Sequence, residues 1–227
     1  MTGLLSSLSS LLPMQGELAG IILVSLFVSG VAILVSMLLG VPVGIFLGLH
    51  RFPGRAFLVT IVNTGMGLPP VVVGLGVFLL LARSGPLGAL DLLYTPWAMV
   101  LAQVVIATPL VVGITLAAIQ GLDARLHLQI LSLGASRGQL YWKLVKEARL
   151  SLVAALAAGF GSIISEVGAV MMVGGNIRGQ TRVMTTAIVL QTRQGEFGSA
   201  IVLGGILLAL ALGINWLFTW VQQRQKA

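Results

Sequence analysis

Residues 18–49 read LAGIILVSLFVSGVAILVSMLLGVPVGIFLGL, a stretch without a charged side chain. A helix needs about 20 apolar residues to cross a bilayer, because each residue advances it by about 1.5 Å. The stretch therefore predicts a spanning helix longer than one crossing requires. Pro42 should kink this helix or mark its cytosolic end. Gly40, Gly44 and Gly48 recur at a spacing that lets another helix approach closely, from a partner or within the same subunit.

Similar runs recur along the rest of the chain. Residues 56–82, 92–122 and 197–221 are free of charge, and residues 150–177 carry only Glu166. None shows the two-residue alternation of a membrane β-barrel. The sequence therefore predicts an all-α polytopic membrane protein with five transmembrane helices. The expected spans are residues 18–49, 56–82, 96–120, 150–175 and 198–221.

The composition supports a membrane protein. Of the 227 residues, 57% are hydrophobic and only 8% are charged, and the mean hydropathy is +1.06. A soluble domain carries about a quarter charged residues. The absence of cysteine excludes disulfides and thiolate chemistry. His50 and His127 are far apart and indicate neither a metal site nor a catalytic triad, and no phosphate-binding GxxxxGK[ST] motif occurs. These residues provide no catalytic constellation, so we expect that the chain is not an enzyme and binds no cofactor.

Three further segments flank or divide the expected transmembrane domain of residues 18–222. In residues 1–17, leucines recur at helical spacing among serines, which favours a short interfacial helix, with an unstructured leader as the alternative. The segment has no basic start, which argues against a signal peptide. Residues 121–149 form a polar loop, and residues 223–227 a cytosolic tail. The leucines of the first segment are Leu4, Leu5, Leu8, Leu11 and Leu12.

The basic residues predict the orientation. With the N-terminus outside and the C-terminus in the cytosol, nine Lys and Arg lie inside and four outside, which accounts for all 13. Positive charge collects on the cytosolic side of membrane proteins. The inner set is Arg51, Arg55, Arg125, Arg137, Lys143, Lys146, Arg149, Arg224 and Lys226, and the outer set is Arg83, Arg178, Arg182 and Arg193.

The polar loop has its own periodicity. Leucine and isoleucine recur at helical spacing before Gly134, and Leu140, Tyr141, Leu144 and Val145 do so after it. This pattern predicts two short amphipathic helices joined at residues 134–136. Such helices on the cytosolic face are suited to docking into a groove of a partner, while a solvated connector is the alternative.

Residues 165–186 hold most of the polar groups of the later part of the chain. Glu166 lies in an apolar span, where a carboxylate is costly without a partner. It could pair with an arginine, accept from backbone donors near Gly168 or be protonated, and we expect it to fix a gate segment instead of touching an anion. The glycine-rich turn after it could form an anion-binding nest, and Arg178 and Arg182 could draw an anion inward or contact lipid or a binding protein. The hydroxyls of Thr181, Thr185 and Thr186 could serve an anion or helix packing equally well.

Three motifs resemble those of one transporter family. The run LSLGAS at residues 131–136 resembles the cytosolic coupling loop of type I ABC importer permeases, with Gly134 at the signature glycine. The family often opens this motif with Glu-Ala-Ala, where this chain has Leu128, Gln129 and Ile130, and Glu147 replaces a common proline. Residues 67–74, GLPPVVVG, and residues 159–198 are similar to segments of molybdate and tungstate permeases, and the latter fit the tungstate group best. The resemblance covers about residues 15–220.

The resemblance implies a homodimer in the inner membrane of a prokaryote, two cytosolic ATPase subunits that bind ATP and Mg²⁺, and an extracytoplasmic binding protein. The expected substrate is tungstate, with molybdate or sulfate as the alternative and a secondary anion transporter or channel as the alternative of another class. The residues expected to couple to the ATPase are Leu133, Gly134, Ala135, Ser136, Arg137 and Tyr141. The residues expected at the gate or pathway are Pro69, Pro70, Glu166, Gly168, Gly174, Gly175, Asn176, Arg178, Thr181, Arg182 and Thr185.

Overall fold

The computed structural model describes residues 15–123, 126, 129–130 and 132–224, and no strand occurs among them. One turn of 3-10 helix covers Gly88–Leu90. The α-helices in chain order are α1 (Gln15–Leu49), α2 (Arg55–Met66), α3 (Pro70–Leu81), α4 (Pro96–Gln120), α5 (Arg137–Glu147), α6 (Arg149–Ile164), α7 (Gly168–Gly174), α8 (Met184–Arg193) and α9 (Phe197–Arg224).

The long first helix is α1. It has 35 residues, which makes it about 52 Å long at 1.5 Å per residue. It continues through Pro42 to Leu49, so Pro42 does not mark the helix end, which was one of its two alternatives. The leucines of the expected interfacial helix lie outside the described residues.

The glycine stripe of α1 packs inside the chain, against α4. A Cβ atom on Gly40 would lie 2.8 Å from Val111 Cγ1, and one on Gly44 would lie 2.6 Å from Thr115 Cβ. On Gly48 it would lie 2.7 Å from Ile119 Cγ2. Because each glycine meets a residue one turn further along α4, the two helices approach along their lengths. The close approach predicted from the spacing is thus used within the subunit.

Helix α4 lies at the centre of the fold. The Thr95 hydroxyl caps its start by accepting from Ala98 N (3.4 Å), and Pro96 occupies the first turn, where no amide donor is needed. Many of its side chains are buried, and α4 contacts α1, α2, α3, α6 and α7. Its bounds, 96 and 120, are those predicted from the apolar run.

The expected span at residues 56–82 is not one continuous helix. Helices α2 and α3 have 12 residues each, about 18 Å, and they meet at an angle of 104°. Pro69 and Pro70 lack the amide hydrogens that would continue the ladder, and the break falls at residues 67–69. The two prolines of GLPPVVVG, residues 67–74, predict a break or a kink here, although the charge-free run by itself predicts one uninterrupted span.

The expected span at residues 150–175 is also divided. Helix α6 ends at Ile164, and α7 starts at Gly168 after the interruption that contains Glu166. On the other side, α5 and α6 meet at 68° around Ala148. Within the described residues, three helices are long and apolar enough to cross a membrane, and as many as five spans result if each bent pair counts as one.

Candidate functional site

The expected coupling region contains α5 as a formed amphipathic helix. Ser136 caps it: Gln139 N donates to Ser136 Oγ (3.3 Å), and Ser136 N donates to Gln139 Oε1 (2.8 Å). This reciprocal pair satisfies two amides that the first turn leaves without helical partners. Arg137 is the first residue of the helix. The predicted second helix of the loop is confirmed; much of the first, with Arg125, Leu128 and Leu131, lies outside the described residues.

One face of α5 is fastened to the transmembrane helices. Leu140 and Leu144 are buried with Ile45 of α1 and Ile119 of α4, and Tyr141 packs beside them. The opposite face is open to solvent. Trp142 on that face is 70% exposed. The helix is therefore joined to two membrane helices by its apolar face and leaves an aromatic residue free for a contact outside this chain.

Gly134 terminates the preceding helical turn. Its φ is +76°, a left-handed conformation that side chains with a Cβ disfavour, and Ala135 N donates back to Ile130 O (3.4 Å). A bond of this span across a left-handed residue closes a helix end. Among the described residues other than its two chain neighbours, no atom lies within 4 Å of a Cβ built on Gly134, so the backbone angle and not the available space requires glycine. Leu133 beside it is 86% exposed.

The expected gate residues come from two separate stretches, and the structure brings these together. Pro69 is extended, and its carbonyl accepts from Val72 N (2.9 Å) at the start of α3. A Cβ on Gly74 would lie 2.5 Å from Ala169 Cα, and one on Gly168 would lie 2.6 Å from Val71 Cγ2. Helices α3 and α7 therefore touch almost backbone to backbone, which places the double proline next to the Glu166 segment.

Glu166 holds the start of α7. Its Oε1 accepts from Ala169 N (3.1 Å), and its backbone carbonyl accepts from Thr185 Oγ1 (2.9 Å). Of the two partners considered for this carboxylate, an arginine and a backbone donor, the backbone donor is the one observed. The Thr185 bond ties the interruption to α8, so Glu166 and Thr185 together fix how α6, α7 and α8 meet.

The turn after α7 is held by its own hydrogen bonds. Gly175, Asn176 and Gly179 have φ of +70°, +53° and +73°. The buried Thr181 hydroxyl donates to Gly174 O and accepts from Ile177 N (3.0 Å). Gly175 N donates to Met171 O (3.0 Å). The amides of 175 and 177 are thus engaged inside the protein and are not free for an anion.

The two arginines of this turn share a carboxylate that sequence reasoning did not connect to them. Arg178 Nη2 lies 2.6 Å from Glu17 Oε2, and Arg182 Nη1 donates to Glu17 Oε1 (2.7 Å). Glu17 stands in the first turn of α1. The signal in the sequence is that Glu17 directly precedes the first apolar run, at the end expected outside, where Arg178 and Arg182 are also expected.

A second missed feature is polar exposure on α2 and α6. Asn63 and Thr64 are exposed on α2, and Ser162 and Ser165 are exposed at the end of α6. Exposed amides and hydroxyls at membrane depth are unfavourable against lipid. The signal is present in the sequence, since the apolar run at 56–82 holds Asn63 next to Thr64.

Comparisons with known proteins show the family to which the chain belongs. Residues 40–227 match the family model of the binding-protein-dependent transport system inner membrane component. A probable anion ABC transporter permease protein of Haloferax volcanii is 44% identical over 203 residues, 87% of this chain and 88% of that protein. The tungstate uptake system permease protein TupB of Peptoclostridium acidaminophilum is 36% identical over 213 residues, 94% of this chain and 93% of that protein.

A solved structure shows the same fold. The MetNI methionine ABC transporter, in an inward-facing conformation, aligns with a TM-score of 0.70 at 19% identity and covers 94% of this chain and 96% of its own. The family match spans most of the chain and both candidate regions. The chain therefore belongs to the family of binding-protein-dependent transport system inner membrane components, the permease subunits of ABC importers.

Proposed function

We propose that this permease subunit moves tungstate into the cytoplasm as one half of a homodimeric pathway. Two separate ATPase subunits drive it with ATP and Mg²⁺, and an extracytoplasmic binding protein delivers the anion. The observation that carries the substrate is the 36% identity to a tungstate permease over 94% of this chain. Molybdate and sulfate are the alternatives, because all three are tetrahedral dianions of similar chemistry.

The proposed topology has five spans, with the N-terminus outside. We count the bent pair α2–α3 as one span and α6 with α7 as another, beside α1, α4 and α9. The excess of Lys and Arg in the segments assigned to the cytosol supports this direction. It places the α5 region in the cytosol and Glu17, Arg178 and Arg182 at the extracytoplasmic end.

The proposed route of coupling runs through α5. The exposed Leu133 and Trp142 are suited to a groove on an ATPase subunit, since aromatic side chains are frequent anchors of interfaces. The buried Leu140 and Leu144 would pass a movement of α5 to α1 and α4, which they contact. ATP binding would favour the state in which the two ATPase subunits, and the α5 helices seated on them, lie closest together.

The proposed pathway lies between two copies of the chain. A single copy leaves the broken span and the polar groups of α2 and α6 exposed, and irregular backbone at membrane depth is tolerated against protein or water but not against lipid. A two-fold pair would enclose these groups around a shared axis. Glu166 would shape the wall through α7 without binding the dianion, which a carboxylate repels.

The test is uptake into proteoliposomes that contain the permease, its ATPase and its binding protein. We expect ATP-dependent uptake of tungstate that molybdate and sulfate inhibit only at higher concentrations. Preference for either competitor would reassign the substrate. Uptake that an ion gradient drives without the ATPase would instead favour a secondary transporter and contradict the proposal.

A further inference from the structure

Arg178 and Arg182 form a pair of cations that could bind an anion, and the carboxylate of Glu17 occupies the position between them. Each oxygen of the Glu17 carboxylate contacts a different guanidinium group, that of Arg178 at 2.6 Å and that of Arg182 at 2.7 Å. Glu17 and Arg182 keep only 13% and 16% of their side chains exposed, whereas Arg178 is 72% exposed. Arg178 therefore faces outward, and Arg182 is largely enclosed by the protein.

The charges at this contact do not balance. Two guanidinium groups share one carboxylate, which leaves an excess of one positive charge. Arg182 Nε is buried and has no hydrogen-bond acceptor among the described residues. Buried donors are normally paired, so the carboxylate satisfies this pair of arginines only in part. A tetrahedral dianion offers more charge and more acceptor oxygens than a carboxylate, and guanidinium forks bind such oxyanions well.

The packing around Glu17 does not depend on its charge. Ile21, Met184, Ala187 and Leu203 form a buried cluster between α1, α8 and α9, and Met184 N donates to Ser25 Oγ (2.9 Å). These contacts hold the start of α1 against α8 independently of the arginines. The apolar cluster and the Ser25 hydrogen bond therefore hold α1 in place without the ion pair, so the Glu17 carboxylate can leave the arginines while α1 stays in position.

We propose that Glu17 is a resident counter-anion, which a tetrahedral oxyanion displaces from Arg178 and Arg182 during import. The site then binds the substrate only weakly, because every anion that enters must compete with a carboxylate at high local concentration. Weak binding favours release toward the pathway after the anion has left its binding protein. The inference rests on the proposed function, since it takes the substrate to be an oxyanion.

The experiment measures tungstate binding to the complete permease–ATPase complex in nanodiscs, without binding protein and without nucleotide. Bound tungsten is quantified by mass spectrometry after equilibrium dialysis, so lipid phosphate does not contribute to the signal. We expect Glu17→Gln to tighten binding about tenfold, the scale of one lost charge–charge competition. We expect Arg178→Gln, a change at an exposed side chain, to weaken binding by about the same factor. Sulfate should displace the bound tungstate, and chloride at equal ionic strength should not.

The chain offers matched controls for both changes. Arg193 ends α8 and Glu196 lies in the α8–α9 connection, and both are exposed. Glu196→Gln and Arg193→Gln therefore remove the same charges elsewhere and should leave binding unchanged. The inference is overturned if Arg178→Gln binds tungstate as the wild type does, or if Glu17→Gln fails to tighten binding. It is also overturned if Glu17→Gln still tightens tungstate binding after both Arg178 and Arg182 are replaced, or if it does so only when the binding protein is present. Wild-type complex that imports no oxyanion at all would instead refute the proposed function.

Discussion

The contact between α3 and α7 can be tested by a pair of glycine substitutions on one helix. A Cβ at Gly74 would lie 2.5 Å from the backbone Cα of Ala169, whereas no described residue outside the same stretch of α3 lies within 4 Å of a Cβ at Gly76. Ordinary carbon contacts are about 3.5–4.0 Å, so Gly74→Ala requires the two helices to separate by about 1 Å. Overpacking of this kind costs about 1–3 kcal/mol.

Gly76→Ala is the matched control, because both changes add the same methyl group inside α3. Alanine gains about 1 kcal/mol of helix propensity over glycine at either position, so the difference between the variants isolates the overpacking. At about 2–4 °C per kcal/mol for a chain of this size, Gly74→Ala should melt about 2–12 °C below Gly76→Ala.

The assay is thermal unfolding of the two purified variants in one detergent, together with tungstate uptake by the reconstituted complexes. We expect Gly74→Ala to lose uptake as well, since Glu166 is bonded to Ala169 N at the start of α7. Replacing Ala169 by glycine should not rescue it, because the nearest atom is backbone. Equal melting temperatures for the two variants would refute the close packing of α3 on α7.

Three further changes test individual residues. Gly134→Val should abolish ATPase assembly or coupling, because the left-handed conformation costs most residues about 1–2 kcal/mol. Gly134→Asn should retain both, because asparagine tolerates a positive φ. Co-purification of the ATPase distinguishes the two, and equal loss would mean that the backbone angle is not what the position requires. Glu166→Gln keeps an acceptor for Ala169 N and should remain near wild type in stability and uptake, whereas Glu166→Ala should lose about 1 kcal/mol; equal damage would indicate a role for the charge. Replacing both Arg178 and Arg182 by glutamine should slow uptake at limiting tungstate more than at saturating tungstate, and unchanged initial rates would exclude them from anion capture.

The apolar runs predicted the long helices well and the broken ones poorly. Residues 96–120 form α4 as expected, because a continuous charge-free run with Pro96 at its start has one favourable structure in a membrane. The run at 56–82 is also free of charge, yet it bends by 104° at Pro69 and Pro70. Hydropathy measures transfer into lipid and does not report where the backbone ladder stops. The prolines marked the break, but its angle depends on how α2 packs on α4 and α3 on α7.

The candidate site was predicted in its parts and not in its connections. The capping pair of Ser136 and Gln139 is local, so the sequence could indicate a helix start there. Glu17 and Arg182 are separated by 165 positions, and no local pattern connects them. Only the packing of α1 against α8 brings the carboxylate to the arginines. Long-range ion pairs of this kind depend on the tertiary fold, which periodicity does not specify.

The measurement that tests the central claim most directly is sided uptake by proteoliposomes of one orientation. A protease or label that reaches the α5 region from one side only defines that orientation. We predict that tungstate enters when the binding protein is added on the Glu17 side and ATP on the α5 side. Uptake that proceeds with the two reagents exchanged, or without either of them, would contradict the account.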